Sequence, residues 1–429
     1  MLGKVASGRR RGWSPLAFVF VTVFVDMLGY GLVIPLLPFY AREYATGAVL
    51  VGLLGSIYAA MQFVGGPFLG GLSDRTGRRP VLVLCILGAS LAYLLLGLAE
   101  TLFLLFTAVV LAGATGGTQA TAQAYIADST SPEGRARGLG LIGAAFGLGL
   151  MAGPALGGFL SLYTLHAPAF AASALALANA AFGFLVLPES LPPKLRVPTP
   201  LHRLAPLSQL RGVLGIRTIR WFLLAVFLLN LSLAGILTNF PLFANTRFGW
   251  DAPTNAFFFA FVGTCIVLTQ AVLIGWLQPR LGEDRLLLGG LSFMALGLGL
   301  VAIVPYGPLL YPVVGALAVG VGLAIPALTA LISHRVSGTE QGRVMGGSQA
   351  VISVTLIVGP LIASLAFDHL GVPAPYWIGA LLATLALFAA SAALLPKHRS
   401  LPAKRSFTKQ ISSELDVPPG ARGKKAPPR

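Results

Sequence analysis

The chain has 429 residues, of which 56% are hydrophobic and 10% are charged, against about 25% charged residues in soluble domains. A mean hydropathy of +0.82 excludes a soluble globular protein, and the excess of apolar residues excludes a disordered one. Both cysteines, Cys85 and Cys265, stand in apolar runs, so neither a disulfide framework nor a metal site is expected. The composition predicts a polytopic membrane protein without a cofactor.

Twelve apolar stretches are long enough to cross about 30 Å of hydrocarbon, which takes roughly 20 helical residues. The first six lie near 14–40, 49–72, 80–99, 101–127, 138–162 and 168–188. The second six lie near 220–243, 254–277, 286–305, 308–332, 344–367 and 374–396. The first stretch is too long for a signal peptide and carries Asp26 in its middle, so we interpret it as a span. The predicted fold class is an all-α membrane protein with twelve transmembrane helices.

Lysine and arginine are distributed unevenly between the two sides that these spans define. With the N-terminus placed in the cytoplasm, 28 of the 30 basic residues fall on the cytoplasmic side, and Arg42 and Arg247 fall outside. The positive-inside rule therefore predicts that both termini are cytoplasmic. The net charge of +16 has this topological cause, so no nucleic-acid partner is predicted, and the basic tails suit anionic lipid headgroups.

The two groups of six spans repeat at an interval near 205 residues. Gly77 is matched by Gly282, and Asp26 is matched by Asn230. Such a repeat predicts two pseudo-symmetric six-helix bundles with a solute site between them at the membrane midplane. The predicted parts are a basic cytoplasmic tail, a first bundle, a basic cytoplasmic linker, a second bundle and a disordered basic tail, at 1–13, 14–188, 189–219, 220–396 and 397–429.

The loop between the second and third spans carries the most specific motif. It reads Gly70-Gly71-Leu72-Ser73-Asp74-Arg75-Thr76-Gly77-Arg78-Arg79-Pro80. We expect Gly70 to let helices two and eleven approach closely and Gly77 to turn the chain in a short connection. Asp74, expected near the start of a helix, faces basic partners, and Asp128 at the end of the fourth span is within reach of Arg78.

This motif resembles the Gly-x-Leu-x-Asp-Arg-x-Gly-Arg-Arg pattern of the major facilitator superfamily. The resemblance implies the major facilitator fold and a cytoplasmic latch that holds the two bundles together in the outward-facing state. The alternative is a charge cluster that only fixes the topology. The residues of the predicted latch are Gly70, Asp74, Arg75, Gly77, Arg78, Arg79 and Asp128.

Glycines recur every four residues in the fifth span, at Gly149, Gly153 and Gly157, accompanied by Pro154 and Gly158. They share one helix face and permit contact between backbones, and Pro154 is expected to bend the helix. The pattern is similar to the glycine-proline motif of the antiporter branch, the twelve-span drug/proton exporters. A packing seam of the kind that any transporter uses is the alternative.

Further stretches resemble the tetracycline/proton antiporters, among them Ala124 to Asp128 and Leu187 to Ser190. The resemblance is dense in the N-terminal half and thin in the C-terminal half. Four polar positions of those exporters hold apolar residues here, and we therefore do not expect tetracycline itself to be the substrate. These residues are Ala92, Val109, Ile266 and Met294.

Asp26 is the one acidic residue that lies deep in a predicted span. It follows Pro15 by 11 residues, which is about 16 Å along a helix. A carboxylate in the membrane is costly, and burial disfavours its charged form, which suits a group that takes up and releases a proton. The alternative is a permanently protonated, hydrogen-bonded acid. Because the matching Asn230 does not titrate, we assign proton coupling to the first bundle.

Six amides are predicted to line the substrate cavity, because an amide that faces lipid has no hydrogen-bond partner. They are Gln62, Gln119, Gln123, Asn230, Gln270 and Gln349. Such a cavity suits a neutral or weakly cationic amphiphile.

The sequence contains neither paired carboxylates nor a Ser–His–Asp set, so we predict no catalytic residue and no enzyme. The predicted function is export of an amphiphilic small molecule in exchange for protons, by a monomeric transporter in the inner membrane of a bacterium. The alternative is a facilitator or proton symporter of a small metabolite such as a sugar or an amino acid.

Overall fold

The computed structural model describes residues 15–44, 47–130, 132–196, 219–336 and 340–395, together with 213, 215 and 216. The predicted tails at 1–13 and 397–429 and most of the predicted linker lie outside these residues.

Each regular element in this described part of the chain is a helix. The N-terminal half contains α1 (Pro15–Val33), α2 (Leu37–Arg42), α3 (Ala48–Thr76), α4 (Arg78–Gly97), α5 (Leu102–Ala114), α6 (Thr118–Ser129), α7 (Pro132–Ser161) and α8 (Ala167–Val186). The C-terminal half contains α9 (Arg220–Ser232), α10 (Ala234–Phe248), α11 (Ala252–Leu268), α12 (Ile274–Ile303), α13 (Leu310–His334), α14 (Gln341–Leu370) and α15 (Ala374–Leu394).

Eleven helical stretches in the described residues are long and apolar enough to cross a membrane. One of them, Ala252–Ile303, has 52 residues, more than twice the roughly 20 that a crossing needs. It is interrupted at Gly282, whose φ of 75° and ψ of 165° are not helical. If this stretch is counted as two crossings, the eleven stretches contain twelve crossings, the number that the sequence predicts. The all-helical fold class is therefore confirmed.

Three predicted spans are built from two helices each, and in two of them residues that disfavour helices stand at the break. Pro35 lies in the 3-10 turn between α1 and α2, where it has no N–H to donate. Gly116 and Gly117 separate α5 from α6. The third break, between α9 and α10, falls at Leu233.

The predicted repeat is visible in the backbone at Gly77 and Gly282, which stand 205 residues apart. Gly77 has a φ of 112° and Gly282 has a φ of 75°, values that side-chain-bearing residues rarely adopt. At both positions ψ is extended, at 158° and 165° respectively. Each glycine therefore turns the chain from one helix directly into the next.

Within the N-terminal half, α1 packs on α7 and α4 packs on α8, and within the C-terminal half the chain segment of α12 packs on α13. The two halves meet along two pairs of helices, α3 with α14 and α7 with α11. This arrangement leaves α1, which carries Asp26, between α7 and α8 of its own half.

The two halves approach most closely at one end of the molecule. We name the end that carries Arg75, Arg78 and Arg79 the basic end, and the opposite end the far end. Near the far end, a Cβ added to Gly52 of α3 would lie 2.5 Å from the carbonyl oxygen of Pro360 in α14. Nearer the basic end of the same helix, a Cβ at Gly66 or Gly70 would have no neighbouring atom within 4 Å.

This difference corrects the role expected for Gly70. The close approach of the second and eleventh spans occurs at Gly52 and Gly55, where a Cβ would meet Pro360, and not at Gly70. The reason is that α3 and α14 touch through their far-end segments in this conformation.

Candidate functional site

Asp26 is half-buried in α1. Its carboxylate lies near the side chain of Thr118, the first residue of α6, which is 4% exposed. A buried carboxylate needs such a partner. Sequence reasoning missed Thr118, although its position directly after the two glycines that separate α5 from α6 is a signal for a helix start.

Three tyrosines lie in the neighbourhood of this carboxylate, and none of them was predicted from the sequence. The ring centroids of Tyr30 and Tyr58 lie 6.0 Å apart, and the Tyr93 ring lies 3.3 Å from where a Cβ of Gly29 would stand. Tyr58 and Tyr93 interact electrostatically with Asp26. We name Asp26, Tyr30, Tyr58 and Tyr93 the carboxylate–tyrosine cluster.

The tyrosines of this cluster are all half-buried. Tyr30 follows Asp26 by four residues, so the two side chains share a helix face, and this spacing was a signal in the sequence. Tyr58 and Tyr93 come from α3 and α4, and only the fold brings them near Asp26. The cluster combines one titratable group with three aromatic rings and three hydroxyls.

The structure does not join the six predicted amides into one network. Four of them, Gln119, Gln123, Gln270 and Gln349, are exposed, while Gln62 and Asn230 are half-buried. Asn230 donates a hydrogen bond to the carbonyl oxygen of Val226 on its own helix, at 2.8 Å. In the described residues no hydrogen bond joins two of the six amides, and no group of three or more His, Cys, Asp or Glu is placed to hold a metal.

The predicted latch acids do meet Arg78. Its Nη1 lies 2.5 Å from Oδ1 of Asp74, and its Nε lies 2.9 Å from Oδ2 of Asp128. The expected position of Asp74 near a helix start was wrong, because α3 continues to Thr76 and places Asp74 in its last turn. An acid is disfavoured at a helix C-terminus, and the charge of Arg78 offsets this.

Glu189 completes this end of the N-terminal half and was not among the predicted site residues. Its Oε1 accepts a hydrogen bond from the backbone N–H of Arg78 at 2.8 Å, and its Oε2 accepts one from that of Arg79 at 3.3 Å. It therefore caps the start of α4, where the first N–H groups have no acceptor within the helix. A Cβ at Gly77 would lie 2.8 Å from the Glu189 carboxyl carbon, so this contact requires glycine.

Arg79 binds the end of the sixth span. Its guanidinium donates to the carbonyl oxygen of Phe184 and lies 5.4 Å from the centroid of that ring. Both ion pairs of Arg78 and the contacts of Arg79 and Glu189 lie within the N-terminal half. These ion pairs and hydrogen bonds are formed although Gly70, two turns from Gly77, makes no close contact: a Cβ added there would have no neighbouring atom within 4 Å.

The C-terminal half carries a related pair at equivalent positions. Glu283 follows Arg78 by 205 residues, and His334 follows Asp128 by 206. His334 Nδ1 lies 3.2 Å from Oε2 of Glu283, with the histidine side chain 68% exposed. The acid Glu283 therefore stands where the N-terminal half has the basic Arg78, and His334 stands where it has the acid Asp128.

The glycines of the fifth span pack against the backbone of α1. A Cβ at Gly153 would lie 2.8 Å from the carbonyl oxygen of Leu28, and one at Gly157 would lie 2.6 Å from that of Leu32. Gly149 likewise faces α1, whereas Gly158 faces Ala256 in the C-terminal half. These close contacts between the backbones of α7 and α1 therefore hold the helix that carries Asp26 in its position.

The sequence matches the family model of the Major Facilitator Superfamily over residues 19–336 and 271–426. It is 37% identical over 354 residues to the tetracycline resistance protein, class C, of Escherichia coli, which covers 82% of this chain and 89% of that protein. It is 30% identical over 356 residues to multidrug resistance protein 2 of Bacillus subtilis (strain 168), covering 81% and 87%.

Two solved structures have the same architecture. The human organic anion transporter MFSD10 (TETRAN) matches with a TM-score of 0.68 and 25% identity, over 87% of this chain and 98% of that chain. A mutant of the nucleoside transporter NupG matches with a TM-score of 0.75 over 89% and 100%, and at 14% identity it is similar in fold alone. Together with the family match, these similarities establish that the chain belongs to the Major Facilitator Superfamily.

Proposed function

We propose that this transporter exports an amphiphilic small molecule in exchange for protons, by alternating access. The observation that carries the proposal is the carboxylate–tyrosine cluster, a titratable group among half-buried aromatic rings in the N-terminal half. Relatives named for tetracycline and multidrug resistance cover more than 80% of the chain, and they favour efflux over a facilitator or symporter of a sugar or amino acid.

In this mechanism Asp26 carries the proton. Desolvation makes its charged form costly, so a proton or a cationic group of the substrate neutralises it, and the two compete for one carboxylate. The rings of Tyr30, Tyr58 and Tyr93 offer faces to a cation, which is attracted within about 6 Å of a ring centroid. Their hydroxyls offer hydrogen bonds to polar groups of the same molecule. We assign substrate binding to this cluster and retain the six amides as further candidates in the cavity.

We place the basic end in the cytoplasm and the protein in the inner membrane, because 28 of 30 basic residues fall on that side. The close contact between the halves lies at the far end, so this conformation is inward-facing under that orientation. We further propose that residues 14–188 and 220–396 act as two bundles of a monomer that rock about the site.

The latch residues have a more local role in our proposal than the sequence suggested. Arg78, Asp74 and Asp128 join the ends of α3, α4 and α6, while Glu189 ties α4 to the end of the sixth span. We propose that the cluster keeps the cytoplasmic end of the N-terminal bundle rigid while the bundles move. The competing interpretation is that the charge cluster only determines the orientation of the spans in the membrane.

The function is tested in proteoliposomes that contain the purified protein and carry a pH gradient. Ethidium serves as a cationic probe, and carboxyfluorescein serves as an anionic probe. We expect ethidium to move against its own gradient while protons move in the opposite direction. Equilibration that ignores the pH gradient would support the facilitator. Selective transport of carboxyfluorescein would contradict the cationic class and favour an organic anion.

The tyrosines are tested in the same vesicles by removing single hydroxyls. Tyr58→Phe and Tyr93→Phe should raise the KM for ethidium about three- to tenfold, because each loses one hydrogen-bonding group. Tyr163→Phe is the matched control, since Tyr163 is exposed and lies in the connection between α7 and α8. An unchanged KM in both cluster variants would remove the cluster from the binding site.

A further inference from the structure

Asp368 connects the two halves at the far end. It lies in the last turn of α14, and its carboxylate oxygens accept hydrogen bonds from the backbone N–H groups of Ala48 and Val49, each at 3.0 Å. These are the first two residues of α3, on the other half. The residue before them, Gly47, has no side chain with which to cap the helix. Asp368 therefore supplies the missing cap from the opposite half.

This cap joins favourable electrostatic interactions to a close packing contact. The first N–H groups of a helix have no acceptor within the helix, and a carboxylate there also interacts favourably with the helix dipole. Asp368 stands at the C-terminus of its own helix, where a negative charge is disfavoured, so its stabilising partners are those of α3. One turn deeper in α14, Ser364 packs against α3, because a Cβ added to Gly52 would lie 2.7 Å from the Cβ of Ser364.

Another acid at the same end provides a contrast. Asp251 also caps a helix, because its Oδ1 accepts from the backbone N–H of Thr254 at 2.9 Å. Asp251 and Thr254 both belong to the C-terminal half, at the start of α11. The Asp251 cap persists when the halves separate, whereas the Asp368 cap breaks as soon as α3 and α14 part at the far end.

We propose that Asp368 is a positioning residue of the transport cycle, which stabilises the conformation closed at the far end by capping α3 across the two halves. The cap contributes to that conformation and to no conformation in which the far end is open, so it shifts the balance between them. This inference goes beyond the proposed function, because it involves neither the substrate nor the proton. Loss of the cap should raise the ratio of far-end-open to far-end-closed molecules about three- to tenfold.

The test measures distances between spin labels by pulsed electron resonance in the full-length protein in lipid nanodiscs, with Cys85 and Cys265 replaced by serine. One pair of labels at Tyr163 and Tyr306 reports on the far end, and these exposed residues belong to different halves. A second pair of labels at Thr76 and Leu281 reports on the basic end in the same way. Each pair is measured in the Asp368→Asn and Asp251→Asn variants.

We expect Asp368→Asn to increase the long-distance population at the far end and the short-distance population at the basic end, while Asp251→Asn leaves both distributions unchanged. Ala48→Pro is the second variant, since it deletes one donor and leaves Asp368 intact. Proline is tolerated at the first helical position, and the extended ψ of 143° at Gly47 suits a following proline. It should move both distributions in the same direction as Asp368→Asn. Unchanged distributions in both variants, or equal shifts in Asp251→Asn, would overturn the proposal.

Discussion

Arg78 and Asp128, fifty residues apart in the sequence, are joined by a charged hydrogen bond of 2.9 Å from Nε to Oδ2. Arg78 also pairs with Asp74, and its side chain is 11% exposed. A guanidinium so far removed from water depends on both acids, because an unpaired buried charge is costly. The two acids therefore act as a unit.

The first prediction follows from this dependence. Asp74→Asn and Asp128→Asn should each lower the free energy of unfolding by about 1 kcal/mol, and the double variant should lower it by about 3 kcal/mol. Each single variant leaves Arg78 one acid, whereas the double variant leaves none. Thermal unfolding followed by size-exclusion chromatography measures the effect. Arg343→Gln, which breaks an exposed pair, is the control with an expected change below about 0.5 kcal/mol. A double variant as stable as the wild type would support the interpretation as a topology signal.

The second prediction concerns the cap that Glu189 places on α4. Glu189→Ala removes the acceptor of the N–H groups of Arg78 and Arg79, and it should cost about 1 to 2 kcal/mol of stability. Glu189→Gln retains one acceptor oxygen and should cost less than Glu189→Ala. Thermal unfolding is again the measurement, with Glu100→Ala as the control at the opposite end of α4. Equal stability of Glu189→Ala and Glu100→Ala would show that the cap is dispensable.

The third prediction compares two glycines of α3. Gly52→Ala places a Cβ 2.5 Å from the carbonyl oxygen of Pro360 and should cost about 1 to 3 kcal/mol in the conformation closed at the far end. Gly66→Ala has no neighbour within 4 Å and should be neutral or slightly stabilising, because alanine favours helices. Thiol labelling of a cysteine near the far end should accelerate in Gly52→Ala alone. Equal labelling rates in the two variants would contradict the close contact.

The fourth prediction concerns proton coupling. Asp26→Asn keeps the size of the side chain and removes its titration, so export driven by a pH gradient should fall at least about tenfold. Membrane insertion and binding of the cationic probe should be measured in the same samples, because a misfolded variant would also fail to transport. Asp251→Asn, which removes an acid from the far end, should retain export. A full pH-driven gradient in Asp26→Asn vesicles would exclude Asp26 as the proton carrier.

The sequence by itself determined the fold class and the crossings, because the length of an apolar run directly limits what it can span. It also indicated a pair of Asp74 with a basic partner of the same short motif, since an acid beside arginines forms charge-assisted hydrogen bonds. Asp128 was identified by topology, because the start of the third span and the end of the fourth span lie on the same side of the membrane.

Only the tertiary structure decided which residues of other helices lie near Asp26. Tyr58, Tyr93 and Thr118 come from three different helices, and their approach depends on helix rotation and crossing, which hydropathy does not encode. The same reason explains why Glu189 and Asp368 were missed as caps, because each acts on a helix more than a hundred residues away. The closure at the far end is also tertiary, since the contact of Gly52 with Pro360 depends on how α3 and α14 cross, which the hydropathy pattern does not specify.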